Sequence, residues 1–256
     1  MSILAICARM YPEIRIYAFQ IMSNHIHLVV GGDERRIWDF FSFFVSRLEK
    51  YFKGEMDLGG FVLKLFPVED LNYFRNAVSY VNRNGFVVND DVTPFSYPWG
   101  TSAYFFQPFA KKYVKACGNP MGVIRVRELM HTRTADSLKD ILMTDGYVSP
   151  AEFCHTSLAE QTFRSAKQYF YLISRNIETY ADIARTIGES IFYNDNDLYL
   201  AAMRLAKEHF GTNDLQTIPA AGKLELAKWL HFDYNAGEKQ LQRILKIDAN
   251  IVKAIF

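Results

Sequence analysis

The sequence predicts an α+β protein: an antiparallel sheet with helices in the first part of the chain, followed by an all-helical region. Three observations carry this. Two runs rich in β-formers, residues 14–22 and 25–30, flank a short polar turn at Ser23-Asn24. The segments that follow, 35–53 and 68–83, repeat apolar residues at helical intervals. Beyond about residue 107 the strand signals fade, and amphipathic stretches separated by turn residues continue to the end.

Taken in order, residues 2–10 predict a short helix that breaks at Tyr11-Pro12. IRIYAFQIM reads as a strand, and the run around His25 and His27 reads as its hairpin partner, ended by Gly31-Gly32. Asp33 is placed to cap the helix from about Arg35 to Lys53. A loop at 54–60 and a short extended piece, FVLKLF, lead to Pro67. There a second helix opens, from about Val68 to Arg83, with Leu71, Phe74, Ala77, Val78 and Val81 as its apolar stripe. Asn84-Gly85 is a normal stop signal for it. Tyr97-Pro98-Trp99-Gly100-Thr101-Ser102 predicts a tight turn with an aromatic anchor.

Composition shifts near 107–120, where Pro and Gly accompany Lys111, Lys112 and Lys115. Two domains are expected, 1–110 and 111–256. In the second, 123–144 is amphipathic but broken, Ser149-Pro150 starts a helix, and helices follow near 158–174, 177–190 and 195–209. The last stretch reads as three short helices, Lys223–Tyr234, Glu238–Lys246 and Asp248 onward. That spacing fits a helix-turn-helix at about 221–256, or an ordinary helical bundle.

Composition bounds the function. Half of the 256 residues are hydrophobic and 22% are charged, as in a soluble globular protein rather than a disordered one. A formal charge of +1 excludes a globally basic nucleic-acid binder, so any basic surface is local. Aromatic residues, at 15%, can fill a core or stack on unpaired bases. Cys7, Cys117 and Cys154 have neither zinc spacing nor a disulfide framework, which suggests a reducing compartment. No run reaches membrane-spanning length, and the first ten residues do not form a secretory signal. The expectation is a cytoplasmic protein with no membrane partner.

The chemistry centres on His25 and His27. On a strand, residues i and i+2 share a face, so the two imidazoles converge. They are half of a divalent-metal site or two packed histidines. Downstream, Tyr73 and Tyr80 lie two helical turns apart, and Asn84 stands one turn beyond Tyr80 on the same side. Asn84 alone reads equally as a ligand or a helix C-cap.

Together these motifs resemble the single-tyrosine HUH transposases, in particular the REP-associated tyrosine transposases. Met22-Ser23-Asn24-His25-Ile26-His27-Leu28-Val29 matches that family's Met-Pro-Asn-His-hydrophobic-His run. Tyr80-Val81-Asn82-Arg83-Asn84 is similar to its Tyr-(Ile/Val)-His-x-Asn-Pro, and Tyr97-Pro98-Trp99-Gly100-Thr101-Ser102 to its Tyr-Pro-Trp-Ser-Ser. The resemblance covers about residues 2–105. It implies a ferredoxin-like HUH domain that cuts and rejoins single-stranded or hairpin DNA. Tyr80 would be the nucleophile, and His25, His27 and Asn84 would hold Mg²⁺ or Mn²⁺. Tyr73 is the fallback nucleophile. Arg47, Lys64 and Arg83 are candidate phosphate contacts, and the resemblance leaves room for a homodimer.

Longer relatives carry a helix-turn-helix extension, which makes Lys239, Gln240, Gln242 and Arg243 candidate DNA contacts. The chain departs from the family in three respects. Asn82 stands where the family has His, Gly85 stands where it has Pro, and the first helix is met without the family's preceding strand. The last departure predicts a sheet one strand short, with an exposed edge. The rival expectation is a DNA-binding protein of the same fold that no longer cuts.

Overall fold

The computed structural model describes residues 1–53, 55, 61–87, 93, 95–131, 138, 140–175, 183–188, 193–248, 251 and 252. It divides into two compact units, Met1–Ser174 and Arg175–Phe256. The composition shift near 107–120 therefore falls inside the first unit. The α+β class holds, and no helix among the described residues is long and apolar enough to cross a membrane.

In the first unit, α1 (Ser2–Met10) leads into the hairpin β1 (Arg15–Ile21) and β2 (Ile26–Gly31), then α2 (Glu34–Phe52) and α3 (Leu71–Val87). Next come α4 (Pro108–Cys117), β3 (Asn119–Pro120), α5 (Val123–Met130), β4 (Leu142–Thr144) and β5 (Tyr147–Val148). Helices α6 (Thr156–Glu160) and α7 (Ala166–Arg175) close the series. Every residue of α1 from Ile3 to Ala8 is buried. A helix apolar all round has to be enclosed, and α2, α5 and β5 all pack on it. As expected, the Asp33 side chain caps α2 by accepting from the Arg36 N–H.

β1 and β2 pair antiparallel with Phe19 opposite Leu28, Gln20 opposite His27 and Ile21 opposite Ile26. Among the described residues this sheet has two strands. The other edge of β1 is covered by irregular chain. Ile21 N–H donates to Trp99 O (2.8 Å), Thr101 N–H to Phe19 O (3.0 Å), and His155 N–H to Ile16 O (2.7 Å). The extended piece FVLKLF joins no strand; its Phe61 and Leu65 pack on the core around α1 instead.

Two expectations are corrected. α3 does not stop at Asn84-Gly85 but runs on to Val87. Neither residue has a positive φ, so neither caps the helix. The glycine is there for close approach: a Cβ on Gly85 would lie 1.9 Å from the Gln20 amide and 2.4 Å from the Tyr97 ring. The second correction concerns 123–144, where Val123–Met130 is helical and Leu142–Thr144 is a strand. β3, β4 and β5 form a second antiparallel sheet. The Asp145-Gly146 turn, with φ of 54° and 88°, makes the β4–β5 hairpin.

The second unit contains a helical stretch at 183–187, then α8 (Asp195–Phe210), α9 (Ala220–Tyr234) and α10 (Glu238–Leu245). Most of the helix expected at 177–190, and most of the last one from Asp248, fall outside the described residues. Leu198, Leu226, Leu230, Leu241 and Leu245 are fully buried in its core. Asn194 and Asp197 cap the start of α8 reciprocally. Asn235 closes α9 and Lys246 closes α10, both left-handed. Asp248 O then accepts from Ile251 and Val252 N–H, beginning another helical turn. Of the three helices expected at 221–256, the described residues show the first two, α9 and α10, joined by a turn at Asn235–Gly237.

Candidate functional site

His25 ends the hairpin turn, where its carbonyl accepts from Met22 N–H (2.9 Å), and His27 lies on β2. The two rings meet edge to face, with Nε2 atoms 3.0 Å apart. His25 Nδ1 donates to Asn24 Oδ1 (2.6 Å). An amide oxygen only accepts, so that contact fixes the proton on Nδ1 and leaves the His25 Nε2 lone pair facing His27. His27 Nε2 then carries the shared proton.

This arrangement can be tested against a metal. Two nitrogens at right angles, each about 2.1 Å from an octahedral ion, are about 3.0 Å apart, whereas a tetrahedral pair spans roughly 3.4 Å. The observed separation is that of an N–H···N hydrogen bond and is close to the octahedral bite, and ligation by both rings needs the His27 proton on Nδ1. Burial, with a smaller electrostatic contribution from the neighbouring His25 ring, pushes the His27 pKa down to about 3. His27 is therefore neutral at pH 7, the state a ligand needs. Among the described residues no third His, Cys, Asp or Glu joins the pair. Asn84, the third ligand that the resemblance implies, is half-buried on α3.

α3 brings Tyr80 to the same place. Its ring lies edge-on to His27, with centroids 5.5 Å apart, and it is only 7% exposed. Tyr80 is thus a buried residue whose ring lies against His27. Tyr73 sits two turns earlier, in the first turn of α3, where its N–H donates to the Asp70 carboxylate that starts the helix (2.7 Å).

The pairing of α3 with the sheet depends on side chains that motif spacing does not single out. Gln20, fully buried and opposite His27, turns its amide so that Nε2 donates to Val81 O (3.1 Å) and Oε1 accepts from Gly85 N–H (3.0 Å). Thr101 Oγ1 accepts from Phe19 N–H (3.0 Å) and donates to Asn82 Oδ1 (2.7 Å). Asn82 Nδ2 donates to Tyr169 Oη on α7 (3.0 Å). Asn82, where the resembled family has His, is therefore a buried structural link. Tyr97 Oη donates to Ile21 O (2.7 Å) at the end of β1. The aromatic anchor expected at 97–102 is thus a lock between β1 and α3. A buried Gln and Asn in apolar surroundings are the signal available in the sequence, because such groups are buried only with partners.

The candidate phosphate contacts separate. Lys64 and Lys239 are exposed. Arg83 is 3% exposed, its guanidinium enclosed within the protein. Arg47 donates to Met130 O (2.8 Å) and lies over the Phe43 ring. Arg243 makes a two-pronged contact with Asp195 at the start of α8 (2.5 and 2.8 Å), and Gln240 Nε2 donates to Tyr193 O (2.9 Å). Arg47 and Arg243 are both engaged in holding the fold.

No protein-family model, curated protein or solved structure matches the chain.

Proposed function

We propose that the protein is a metal-dependent nuclease and strand transferase for single-stranded or hairpin DNA, working through a tyrosine, as in the transposases its motifs resemble. The observation that carries this reading is that His27 touches both His25, with Nε2 atoms 3.0 Å apart, and the Tyr80 ring of α3, with centroids 5.5 Å apart. His25 and His27, with Asn84 as third ligand, would hold Mg²⁺ or Mn²⁺. Such an ion neutralises charge on the scissile phosphate and favours the phenolate of Tyr80.

In the reaction, Tyr80 Oη forms a bond to phosphorus as the bond from phosphorus to the 3′ oxygen breaks. The phenol proton is lost, and the departing oxygen takes one up as a 3′-hydroxyl. The 5′-phosphotyrosine that results conserves the phosphodiester energy, so a second 3′-hydroxyl can reverse the step without ATP. In this reading the β1–β2 hairpin, α2 and α3 are the counterpart of the family's ferredoxin-like domain. The second unit offers Lys239 to duplex DNA, and the protein acts in the cytoplasm.

One observation favours a second reading. Tyr80 is nearly enclosed, as suits a protein that keeps the fold and binds DNA without cutting it. A covalent-adduct assay decides. Incubated with Mn²⁺ and a random-sequence single-stranded DNA pool, wild-type protein is expected to give a denaturation-resistant protein–DNA adduct, and Tyr80→Phe none. An adduct of equal yield from Tyr80→Phe would overturn the assignment, and binding without any adduct would establish the second reading.

A further inference from the structure

We propose that Gln20 is a positioning residue: its side-chain amide sets where the Tyr80–Asn84 turn of α3 sits against the histidine strand. The inference rests on the site reading above for its functional consequence, but its structural content stands on separate contacts. Val81 O and Gly85 N–H are the acceptor and donor that close one α-helical turn, four residues apart. The Gln20 amide spans both, at 3.1 and 3.0 Å. That turn begins directly after Tyr80 and contains Asn84.

Gln20 is also the direct cross-strand neighbour of His27, so both side chains leave the same face of the hairpin. One rigid unit therefore joins the histidine to the helix that carries the tyrosine. Two glycines make room for it. A Cβ on Gly85 would lie 1.9 Å from the Gln20 amide, and one on Gly100 would lie 2.7 Å from the same amide. Backbone approach this close on both sides leaves the amide no alternative seat. An apolar side chain of similar length at position 20 would fill the space but grip neither Val81 O nor Gly85 N–H. The Val81–Gly85 turn of α3 would then keep only the Thr101–Asn82 link and the Tyr97 contact, and its loosening would displace Tyr80 and Asn84. A displacement near 1 Å at a reacting group costs on the order of 100-fold in rate.

The test uses Gln20→Met, which keeps length and volume, beside Val126→Ala, a core substitution on α5, as a control for reduced stability. In the metal-free full-length protein, a nuclear Overhauser effect between the Tyr80 and His27 rings is expected in wild type and in Val126→Ala. It is expected to vanish or weaken strongly in Gln20→Met. With Mn²⁺ and single-stranded DNA, Gln20→Met is expected to form adduct about 10- to 100-fold more slowly in a single turnover, with DNA affinity unchanged. A ring-to-ring effect of full intensity in Gln20→Met overturns the positioning role, whatever the activity. Its disappearance in Gln20→Met, together with no adduct from wild type, supports the positioning role and instead removes the nuclease reading. If the effect disappears in Val126→Ala as well, Gln20 has only the general structural part that any core residue plays, and the proposal fails.

Discussion

At the scale of single residues, the site is governed by which polar groups are enclosed and what they meet. His27 gives a pH signature. Its folded pKa, near 3, lies below the unfolded value of 6.5, so the unfolded chain binds the proton more readily. Its contribution is therefore intact above pH 6.5 and is lost as pH falls from there toward 3. At pH 5 the expected loss is about 1–2 kcal/mol, read as a drop in denaturant midpoint that His27→Gln lacks. Thr101→Val should cost about 2–3 kcal/mol at neutral pH, because it strands the buried Phe19 N–H and Asn82 Oδ1. A loss under about 0.5 kcal/mol would show that Thr101 does not lock β1 to α3.

The pairing of the His25 and His27 rings is legible from a strand period, although His25 itself precedes β2. Tyr80 is singled out by the resemblance together with its place one turn before Asn84. Gln20, Asn82 and Thr101 are marked by neither. Their roles come from partners distant in sequence, Val81, Gly85, Tyr169 and Phe19, that no local pattern specifies. Beside the family's motif Asn82 reads as a departure from a histidine; in the fold it is a buried link.

At the scale of elements, α3 matters most. Asn84-Gly85 has the composition of a helix stop, yet the helix passes through it because Gly85 meets Gln20 and Tyr97 at backbone range. That reverses a familiar expectation. Gly→Ala inside a helix ordinarily gains roughly 0.5–1 kcal/mol. Gly85→Ala should instead lose about 2 kcal/mol or more through overpacking, measurable by equilibrium unfolding. A stabilised Gly85→Ala protein would mean that α3 and the sheet are not in contact there.

The first two strands and α2 are legible because their apolar periods and the Asp33 cap agree. The β4–β5 hairpin is hidden because its strands are three and two residues long, too short to show alternation. The Asp145-Gly146 pair is the one local sign of it.

For the whole molecule, the division into units at Ser174 and Arg175 does not follow the lysine-rich shift near 107–120. Lys111, part of that shift, is tied to Glu160 (2.8 Å) and to Ser157 (3.0 Å) within the first unit. Composition marks a change in surface charge there, not the edge of a core. The net charge is only +1, and two of the cations expected to meet phosphates, Arg47 and Arg243, are committed to internal partners. Single-stranded DNA binding should therefore weaken only gently with salt, with a log–log slope of magnitude below about 3, or roughly four phosphates neutralised. A steeper slope would reveal more phosphate contacts than this reading assigns to the protein.

The central claim is that Tyr80 attacks phosphorus beside the His25–His27 pair, and mapping the covalent linkage tests it most directly. The adduct formed with Mn²⁺ and single-stranded DNA would be digested with protease and nuclease and its nucleotide-bearing peptide sequenced by mass spectrometry. The account predicts one modified residue, Tyr80, and no modified peptide from His25→Ala/His27→Ala protein. A nucleotide on Tyr73 or any other residue, or an undiminished yield without the histidines, would contradict it.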